Sequence, residues 1–170
     1  MTRLVAVSGA DSPTSKTRAL VAAVVDERGG ELIDLLQLPA DGLLGRREDT
    51  DVMRAVEAAA SADVLIVATP VYRATYTGAI KAFFDRFAPR ALARTAVVLV
   101  ATAIAKEHFL SLDTGGRALI ASLEGWTVPS VVYATGDDFV DGKPSDAILD
   151  SLRAAVDEAE QIARAISADR

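Results

Sequence analysis

The densest group of chemically capable side chains is the hydroxyl-rich segment 8–17, SGADSPTSKT. The apolar pattern indicates a strand before it and a helix after it, so free helix N–H groups and the positive end of a helix dipole would face it. That arrangement favours phosphate, and Lys16 adds a positive charge. The segment lacks the Gly-Lys-Ser/Thr of a P-loop and the G-x-G-x-x-G of a dinucleotide fingerprint. The alternative is that Ser15 acts only as a helix N-cap.

The segment 69–77, TPVYRATYT, follows a buried strand and is the second candidate site. Ligands of open α/β sheets bind at the carboxyl ends of the strands, which is where this loop would lie. Backbone groups of Thr69, Val71 and Tyr72 are available there, and a flat aromatic ligand can stack over such a loop. The alternative is that Tyr72 and Tyr76 are half-buried packing residues with satisfied hydroxyls, which we favour for Tyr76.

His108 follows the strand AVVLVA and is the one side chain of the third loop that titrates near neutrality. A single histidine at a helix start is more often a cap or packing residue, so we expect His108 to be positional at most. The acids Asp137, Asp138 and Asp141 lie in the turn-rich sequence GDDFVDGKP, where solvated turn acids are expected. Because the chain has no cysteine and one histidine, Cys-type and multi-His metal sites are excluded.

Five apolar runs of strand length must position these loops. They are Leu4–Val7, a run with Leu32, Ile33, Leu35 and Leu36, and then Val64–Ala68, Ala96–Ala101 and Val128–Tyr133. Runs that are apolar throughout, such as VLIVA and AVVLVA, are typical of parallel strands covered on both faces.

Helical patterns alternate with these strands. One helix stops at Gly29-Gly30, and another begins at Gly78 and carries an apolar stripe of Ile80, Phe83, Phe84 and Phe87. Two more helices are predicted over His108–Leu123 and Asp146–Ser167. The segment Pro39–Asp49 is predicted to be a polar loop. The pattern predicts an α/β fold: a flavodoxin-like, doubly wound, five-stranded parallel sheet with strand order 2-1-3-4-5 and helices on both faces. Its length predicts a single domain over residues 1–170.

Composition narrows the class of protein. The chain is 51% hydrophobic and 25% charged, which is typical of a globular domain. Its net charge of -6 and pI of about 4.8 argue against a nucleic-acid partner. No apolar run approaches the roughly 20 residues of a membrane span. The N-terminus enters a strand without a signal-peptide pattern, so we expect a cytoplasmic protein that binds neither nucleic acid nor membrane.

The segment ATPVYRATYTGAIKAFFD strongly resembles the ATPVY-K/R-x-x-Y-S/T-G-x-L/I-K motif of NAD(P)H-dependent FMN reductases. The nearest branch is that of the flavin reductases of two-component alkanesulfonate monooxygenase systems. Gly9 and Ser15-Lys16-Thr17 match the phosphate loop of that family. Ala101-Thr102 and His108-Phe109-Leu110, followed by Asp113, match its A-T-G-G-x-x-x-H-L-L-x-x-D motif. The likeness extends from Ala60 to about Ala134 and includes the first loop.

The resemblance implies reduction of FMN by NADPH or NADH, with reduced flavin supplied to a partner monooxygenase. It implies that phosphate is held by Ser8, Ser15, Lys16 and Thr17, that the isoalloxazine is lined by Pro70, Val71 and Tyr72, and that its other edge is reached by Thr102 and Ala103. Relatives are dimers or tetramers, so we expect a homodimer or homotetramer that shares part of the Phe83, Phe84 and Phe87 face.

Three departures from the family pattern bear on flavin binding. Ala103-Ile104 replaces Gly-Gly, Ala10 and Ser12 replace a serine and an arginine of the phosphate loop, and Thr114 replaces a frequent Tyr or His. We therefore expect FMN to be a weakly held substrate. Two alternatives remain: a quinone or azo-dye reductase that holds FMN tightly, and a flavodoxin-like electron carrier without nicotinamide turnover. The aromatic content of 5% weighs against the carrier.

Overall fold

The computed structural model describes residues 2–104 and 106–168. Its main sheet consists of β1 (Leu4–Ser8), β2 (Glu31–Asp34), β3 (Val64–Pro70), β4 (Ala96–Thr102) and β5 (Trp126–Ala134). All neighbouring strands pair in parallel, in the order β2-β1-β3-β4-β5. The predicted fold class and strand order are therefore confirmed.

Helices cover both faces of this sheet. They are α1 (Lys16–Arg28), α2 (Ala40–Leu43), α3 (Thr50–Ala60), α4 (Gly78–Phe84), α5 (Arg117–Ala121) and α6 (Asp146–Ala168). Short 3-10 turns occupy Leu35–Gln37, Lys106–His108 and Gly136–Asp138, a π turn occupies Leu112–Gly116, and β6 (Phe139–Val140) pairs with β7 (Lys143–Pro144). Among the described residues, no helix combines the length and apolar composition needed to cross a membrane.

Alternate residues of each strand enter two separate cores, as the pleat of a strand requires. Val5, Leu65 and Val97 pack with α3 and α4, whereas Ile66 and Val98 pack with α1 and α6. The inner strands β3 and β4 are buried almost throughout because helices lie on both sides of them. This double cover explains why their sequences are continuously apolar.

Capping residues set the ends of the helices next to the candidate loops. The Ser15 hydroxyl accepts a hydrogen bond from the Thr17 amide at the start of α1. Gly29 ends α1 with φ 67°, a left-handed conformation that glycine adopts without a Cβ penalty. The Thr77 hydroxyl caps α4 by accepting from the Ile80 amide. The loops before α1 and α4 are therefore held at their helix ends.

Two predicted elements between residues 32 and 49 differ from the structure. The second strand ends at Asp34 rather than continuing through Leu36, because the Asp34 carboxylate accepts from the Leu36 amide and starts a 3-10 turn. The predicted polar loop Pro39–Asp49 contains the short helix α2. Both errors come from local hydrogen bonds that an apolar pattern does not report.

The predicted helix His108–Leu123 is also wrong as a single element. A π turn precedes α5, and its glycines lie against the rest of the fold. A Cβ on Gly115 would lie 3.3 Å from Tyr76, and one on Gly116 would lie 3.3 Å from both Leu112 and Leu99. The glycine pair therefore allows close packing that a regular helix with larger residues would not.

The aromatic stripe of α4 lies inside the chain. Phe83, Phe84 and Phe87 are 0%, 2% and 9% exposed and pack ring against ring, with centroids 4.9–5.6 Å apart. These rings are core residues of the chain itself, so they are not the surface that was expected to be shared with a second subunit.

β5 is an irregular edge strand. The register between β4 and β5 shifts between Val97 and Leu99, and Pro129 lies within β5. Because proline has no N–H, it cannot continue a regular ladder. The Arg117 side chain donates to the carbonyl oxygens of Val128 and Pro129 and thereby joins α5 to this part of β5.

Candidate active site

A cavity of about 560 Å³ lies at the carboxyl ends of the sheet strands. Three loops that the sequence singled out meet there, together with the segment after β5. The lining residues are Asp11, Ser12, Thr14, Ser15, Lys16, Thr17, Pro70, Val71, Tyr72, Thr102, Ala103, Ile104, His108, Thr135, Gly136 and Phe139. The position agrees with the rule that open α/β sheets bind ligands beyond the carboxyl ends of their strands.

A buried hydrogen bond joins the first loop to the third at the floor of the cavity. The hydroxyl oxygens of Thr17 and Thr102 are 2.5 Å apart, and the two residues are 1% and 7% exposed. Thr17 belongs to the first turn of α1 and Thr102 ends β4. The start of α1 is therefore fixed to the central sheet by side chains as well as by the Ser15 cap.

Lys16 extends away from this floor toward the segment after β5. Its ammonium nitrogen lies 5.3 Å from the centroid of the Phe139 ring, within range of a cation–π interaction. The contact connects α1 to the β6 strand and places a positive charge on one side of the cavity.

The second loop contains a tight two-residue turn. The amides of Tyr72 and Thr75 donate to each other's carbonyl oxygens, at 3.0 and 3.2 Å. Between them, Arg73 and Ala74 have φ values of 52° and 62°. Positive φ at both central residues is typical of a type I′ turn, which usually prefers Gly or Asn. The surrounding contacts must therefore offset a local strain.

Those surrounding contacts come from the first loop and from the ends of the second. The Thr77 amide donates to the Thr69 hydroxyl, and the Thr77 hydroxyl donates to the Gly9 carbonyl, each at 3.0 Å. The Tyr72 hydroxyl donates to the Asp11 carboxylate, also at 3.0 Å. Partial burial and this hydrogen bond raise the pKa of Tyr72, so its phenol stays protonated as a donor.

Backbone amides of the second and third loops are already used within the protein. Val71 donates to the Thr102 carbonyl at 2.8 Å, and Ala103 donates to the Ala134 carbonyl at 2.9 Å. With Tyr72 engaged in its turn, these three amides are not free to donate to a ligand in this arrangement. The sequence could not reveal this, because each amide pairs with a residue distant along the chain or inside the turn.

The third loop exposes apolar side chains beside the cavity. Ile104 is 100% exposed, and Phe109 and Leu110 are 56% and 52% exposed. His108 lines the cavity and is itself exposed. This wall contrasts with the first loop, where the Thr17 hydroxyl is buried and paired with Thr102.

The structure brings together most of the residues predicted from the sequence. Lining positions are occupied by Ser15, Lys16, Thr17, Pro70, Val71, Tyr72, Thr102, Ala103 and His108. Ser8 does not reach the cavity: it is fully buried, and its hydroxyl has no hydrogen-bond partner among the described residues. A small hydroxyl side chain at a strand end carries no sequence signal that separates the core from the cavity.

Sequence reasoning missed the β5 end of the cavity. Thr135, Gly136 and Phe139 line it because β5 ends beside β4. The same carboxyl-end rule applied to the predicted strand Val128–Tyr133 would have found them.

Residues 2–139 match the family described as NADPH-dependent FMN reductase. This chain belongs to that family. The reductase is 35% identical over 167 residues to the NADH-dependent FMN reductase SfnF of Pseudomonas fluorescens, covering 92% of this chain and 89% of that protein. It is 37% identical over 146 residues to an FMN reductase (NADPH) of Pseudomonas aeruginosa, covering 81% and 78%.

A solved structure also resembles the reductase. It is the apo form of an NADH:FMN oxidoreductase, EMOB, with a TM-score of 0.84, 32% identity, and coverage of 94% of this chain and 88% of that one. The family resemblance is therefore confirmed, and with it FMN reduction by a nicotinamide donor. The chain is an NAD(P)H-dependent FMN reductase.

Asp137 and Asp138, the acidic residues that follow β5, make contacts within the protein. The Asp138 carboxylate accepts from the Thr135 amide at 2.7 Å and from the Thr135 hydroxyl at 3.1 Å. Asp137 lies 4.0 Å from Lys106 on the surface. Asp138 therefore caps the turn that forms one side of the cavity.

A larger groove, of about 730 Å³, lies elsewhere on the reductase, along β2. Arg18 and Asp34 form an ion pair of 3.2 Å in its wall. It lies away from the three loops at the strand ends, and its wall is polar. Its size alone does not make it the flavin site, and the loop cavity remains the candidate.

Proposed function

We propose that this reductase takes FMN as a diffusible substrate and releases reduced FMN to a partner monooxygenase. The observation that carries the proposal is the weak anion-holding capacity of the cavity: its described lining has one lysine, Lys16, and one carboxylate, Asp11. A phosphate monoester carries about -1.5 to -2 charge at neutral pH. The charged side chains of the described lining therefore give no net positive charge to attract such a group.

The donor set of the cavity suits a phosphate at one end. The start of α1 supplies the positive end of a helix dipole, and Ser15 and Lys16 lie at that start. Thr17 contributes mainly by fixing this turn to Thr102, since its hydroxyl is already paired. We assign the phosphate to Ser15, Lys16 and Thr17. Ser8 supports the strand end from inside the core.

The opposite side of the cavity suits a flat ring. Pro70, Val71 and Tyr72 supply apolar and aromatic surface, and Thr102 and Ala103 form the floor beside them. A flavin bound there accepts a hydride from NADPH or NADH, and the protein contributes binding and alignment. The paired amides of this wall favour recognition by shape and stacking over backbone hydrogen bonds to the ring.

His108 has a positional role in this proposal. It is exposed on the rim of the cavity, where solvent can supply a proton directly. Hydride transfer between two bound rings depends on their distance and orientation, so a protein acid is not required.

The proposal includes a homo-oligomeric state and a cytoplasmic location. Ile104, Phe109 and Leu110 present exposed apolar surface beside the cavity, which supports a homodimer or homotetramer that covers this rim. The reductant is an intracellular nicotinamide, which supports a cytoplasmic location.

An absorption spectrum and a turnover assay test this function. The purified, dialysed protein should be nearly colourless, bind FMN with a Kd of about 1 μM, and oxidise NADPH or NADH only when FMN is added. Recovery of a yellow protein with stoichiometric FMN after dialysis would contradict the proposal and favour a quinone or azo-dye reductase. Bound flavin without nicotinamide oxidation would favour an electron carrier.

A further inference from the structure

The Tyr72 side chain lies at the boundary of two open spaces. It is the one tyrosine or tryptophan in the described lining of the cavity at the strand ends, and it is 49% exposed. It also lines a second cavity of about 380 Å³, whose wall includes Leu35, Leu38 and Leu43. Exposed side chains change rotamer readily, so packing alone does not fix the orientation of this ring.

Asp11 supplies the contact that fixes the phenol ring. The Tyr72 hydroxyl donates to the Asp11 carboxylate at 3.0 Å, and Asp11 lines the same two cavities. Partial burial, this hydrogen bond and the Asp11 charge raise the pKa of Tyr72, so the phenol remains a donor at neutral pH. The Tyr72 backbone is held separately by its two hydrogen bonds with Thr75. The side chain is therefore anchored at its backbone and at its hydroxyl.

The segment that carries Asp11 is itself fixed to the sheet and to the second loop. Two residues before Asp11, the Gly9 amide donates to the Ala68 carbonyl at 2.8 Å. The Gly9 carbonyl accepts from the Thr77 hydroxyl at 3.0 Å. The acceptor for Tyr72 is thus held close to the end of β1, and the position of the ring is set from there.

We propose that Asp11 is a positioning residue for hydride transfer, and that it acts by holding the Tyr72 ring as the wall against which the flavin ring lies. The inference rests on the proposed function, since it assumes that the flavin ring binds on the side of Pro70, Val71 and Tyr72. Hydride transfer depends steeply on the distance and orientation of the two rings. A Tyr72 ring that turns away therefore leaves the flavin bound and poorly aligned, whether or not the flavin carries a phosphate.

The test compares Asp11→Ala, which removes the acceptor, with Asp11→Asn, whose amide oxygen still accepts from Tyr72. The rate of flavin reduction is measured in a single turnover, which excludes product release. We expect Asp11→Ala to lower this rate about fivefold and Asp11→Asn to stay within about twofold of wild type. Tyr72→Phe removes the donor and should lose about as much as Asp11→Ala. The double variant should lose no more than either single variant, because both act through one hydrogen bond.

The fluorescence of bound FMN is a second readout, which a merely structural role would not change. A phenol stacked on an excited flavin quenches its emission by electron transfer, and Tyr72 is the one such donor in the described lining. We expect weak emission in wild type and Asp11→Asn, stronger emission in Asp11→Ala, and the strongest in Tyr72→Phe. The control, Asp26→Ala, removes a carboxylate from an exposed position of α1 and should leave both the rate and the emission unchanged.

Three results would overturn the inference and leave the proposed function intact. Asp11→Ala could match wild type in rate and emission, even if its free energy of unfolding is lower. Asp11→Asn could lose as much rate as Asp11→Ala. Asp11→Ala could alter the affinity for FMN alone and not for riboflavin, which would place Asp11 at the phosphate. Failure of the wild-type protein to bind or reduce FMN would instead overturn both the inference and the proposed function.

Discussion

The first and third loops form two walls of the same cavity and are built in opposite ways. The first loop is secured by buried contacts, including the Thr17–Thr102 hydroxyl pair and the Thr77 bond to the Gly9 carbonyl. The third loop passes through short 3-10 and π turns and exposes Ile104 and Phe109. One wall is fixed by the fold, and the other offers surface that a ligand or a second copy can cover.

This difference predicts that substitutions in the two walls will have different effects on stability and on flavin affinity. Changes in the first wall should alter stability and flavin affinity together, because the same contacts serve both. Changes in the third wall should leave stability nearly untouched, because exposed side chains contribute little to it.

The largest effect is expected from Gly9→Ala. The added Cβ would lie 2.4 Å from Ile80 Cγ1 and 2.9 Å from the Thr77 hydroxyl, so the first and second loops would be forced apart. We expect a loss of about 2–3 kcal/mol in the free energy of unfolding, measured with denaturant. Gly78→Ala is the control: no atom lies within 4 Å of the added Cβ, and Ala favours the helix. Equal stability of the two variants would contradict the packed description of the first wall.

A smaller loss is expected from Thr17→Val and Thr102→Val. Each leaves the other hydroxyl buried without its partner, at a cost of about 1–2 kcal/mol of unfolding free energy. The double variant should cost less than the sum, because both hydroxyls are then gone. Strict additivity in this cycle would show that the pair contributes nothing as a pair.

Lys16→Ala should weaken FMN about tenfold, the equivalent of about 1.4 kcal/mol, and leave riboflavin nearly unaffected. Lys16 is the lysine of the described lining, so its loss acts on the phosphate end. Lys81→Ala removes the same charge from an exposed ion pair with Asp85 and serves as the control. An equal loss for both flavins would rule out a phosphate contact.

The smallest effect is expected from His108→Ala in the third wall. We expect kcat to stay within about threefold of wild type, with any larger change in KM, and the unfolding free energy to be unchanged within about 0.5 kcal/mol. A thousandfold loss of kcat in a folded variant would assign a general-acid role to His108.

The sheet could be predicted because its signals are local. Runs such as Val64–Ala68 need cover on both faces, and few arrangements of alternating strands and helices provide it. The loops of the cavity followed from the same topology. The motif around Tyr72 then indicated the chemistry.

Other features depend on contacts between distant residues and could not be predicted. The Tyr72–Asp11 hydrogen bond and the pairing of the Val71 and Ala103 amides appear only when separate strands are brought together. The Phe83 stripe shows why apolar spacing is ambiguous, since it indicates a buried helix face without saying whether the cover is internal. In this chain the cover is internal.

The two edges of the sheet have a consequence for how copies of this enzyme behave at high concentration. β2 is four residues long and is flanked by the charges of Glu31 and the Arg18–Asp34 pair, and β5 is interrupted by Pro129. Short, charged or proline-bearing edges are poor templates for strand addition. Any contact between copies would therefore use side chains and helices, and strand addition at either edge of the sheet is disfavoured.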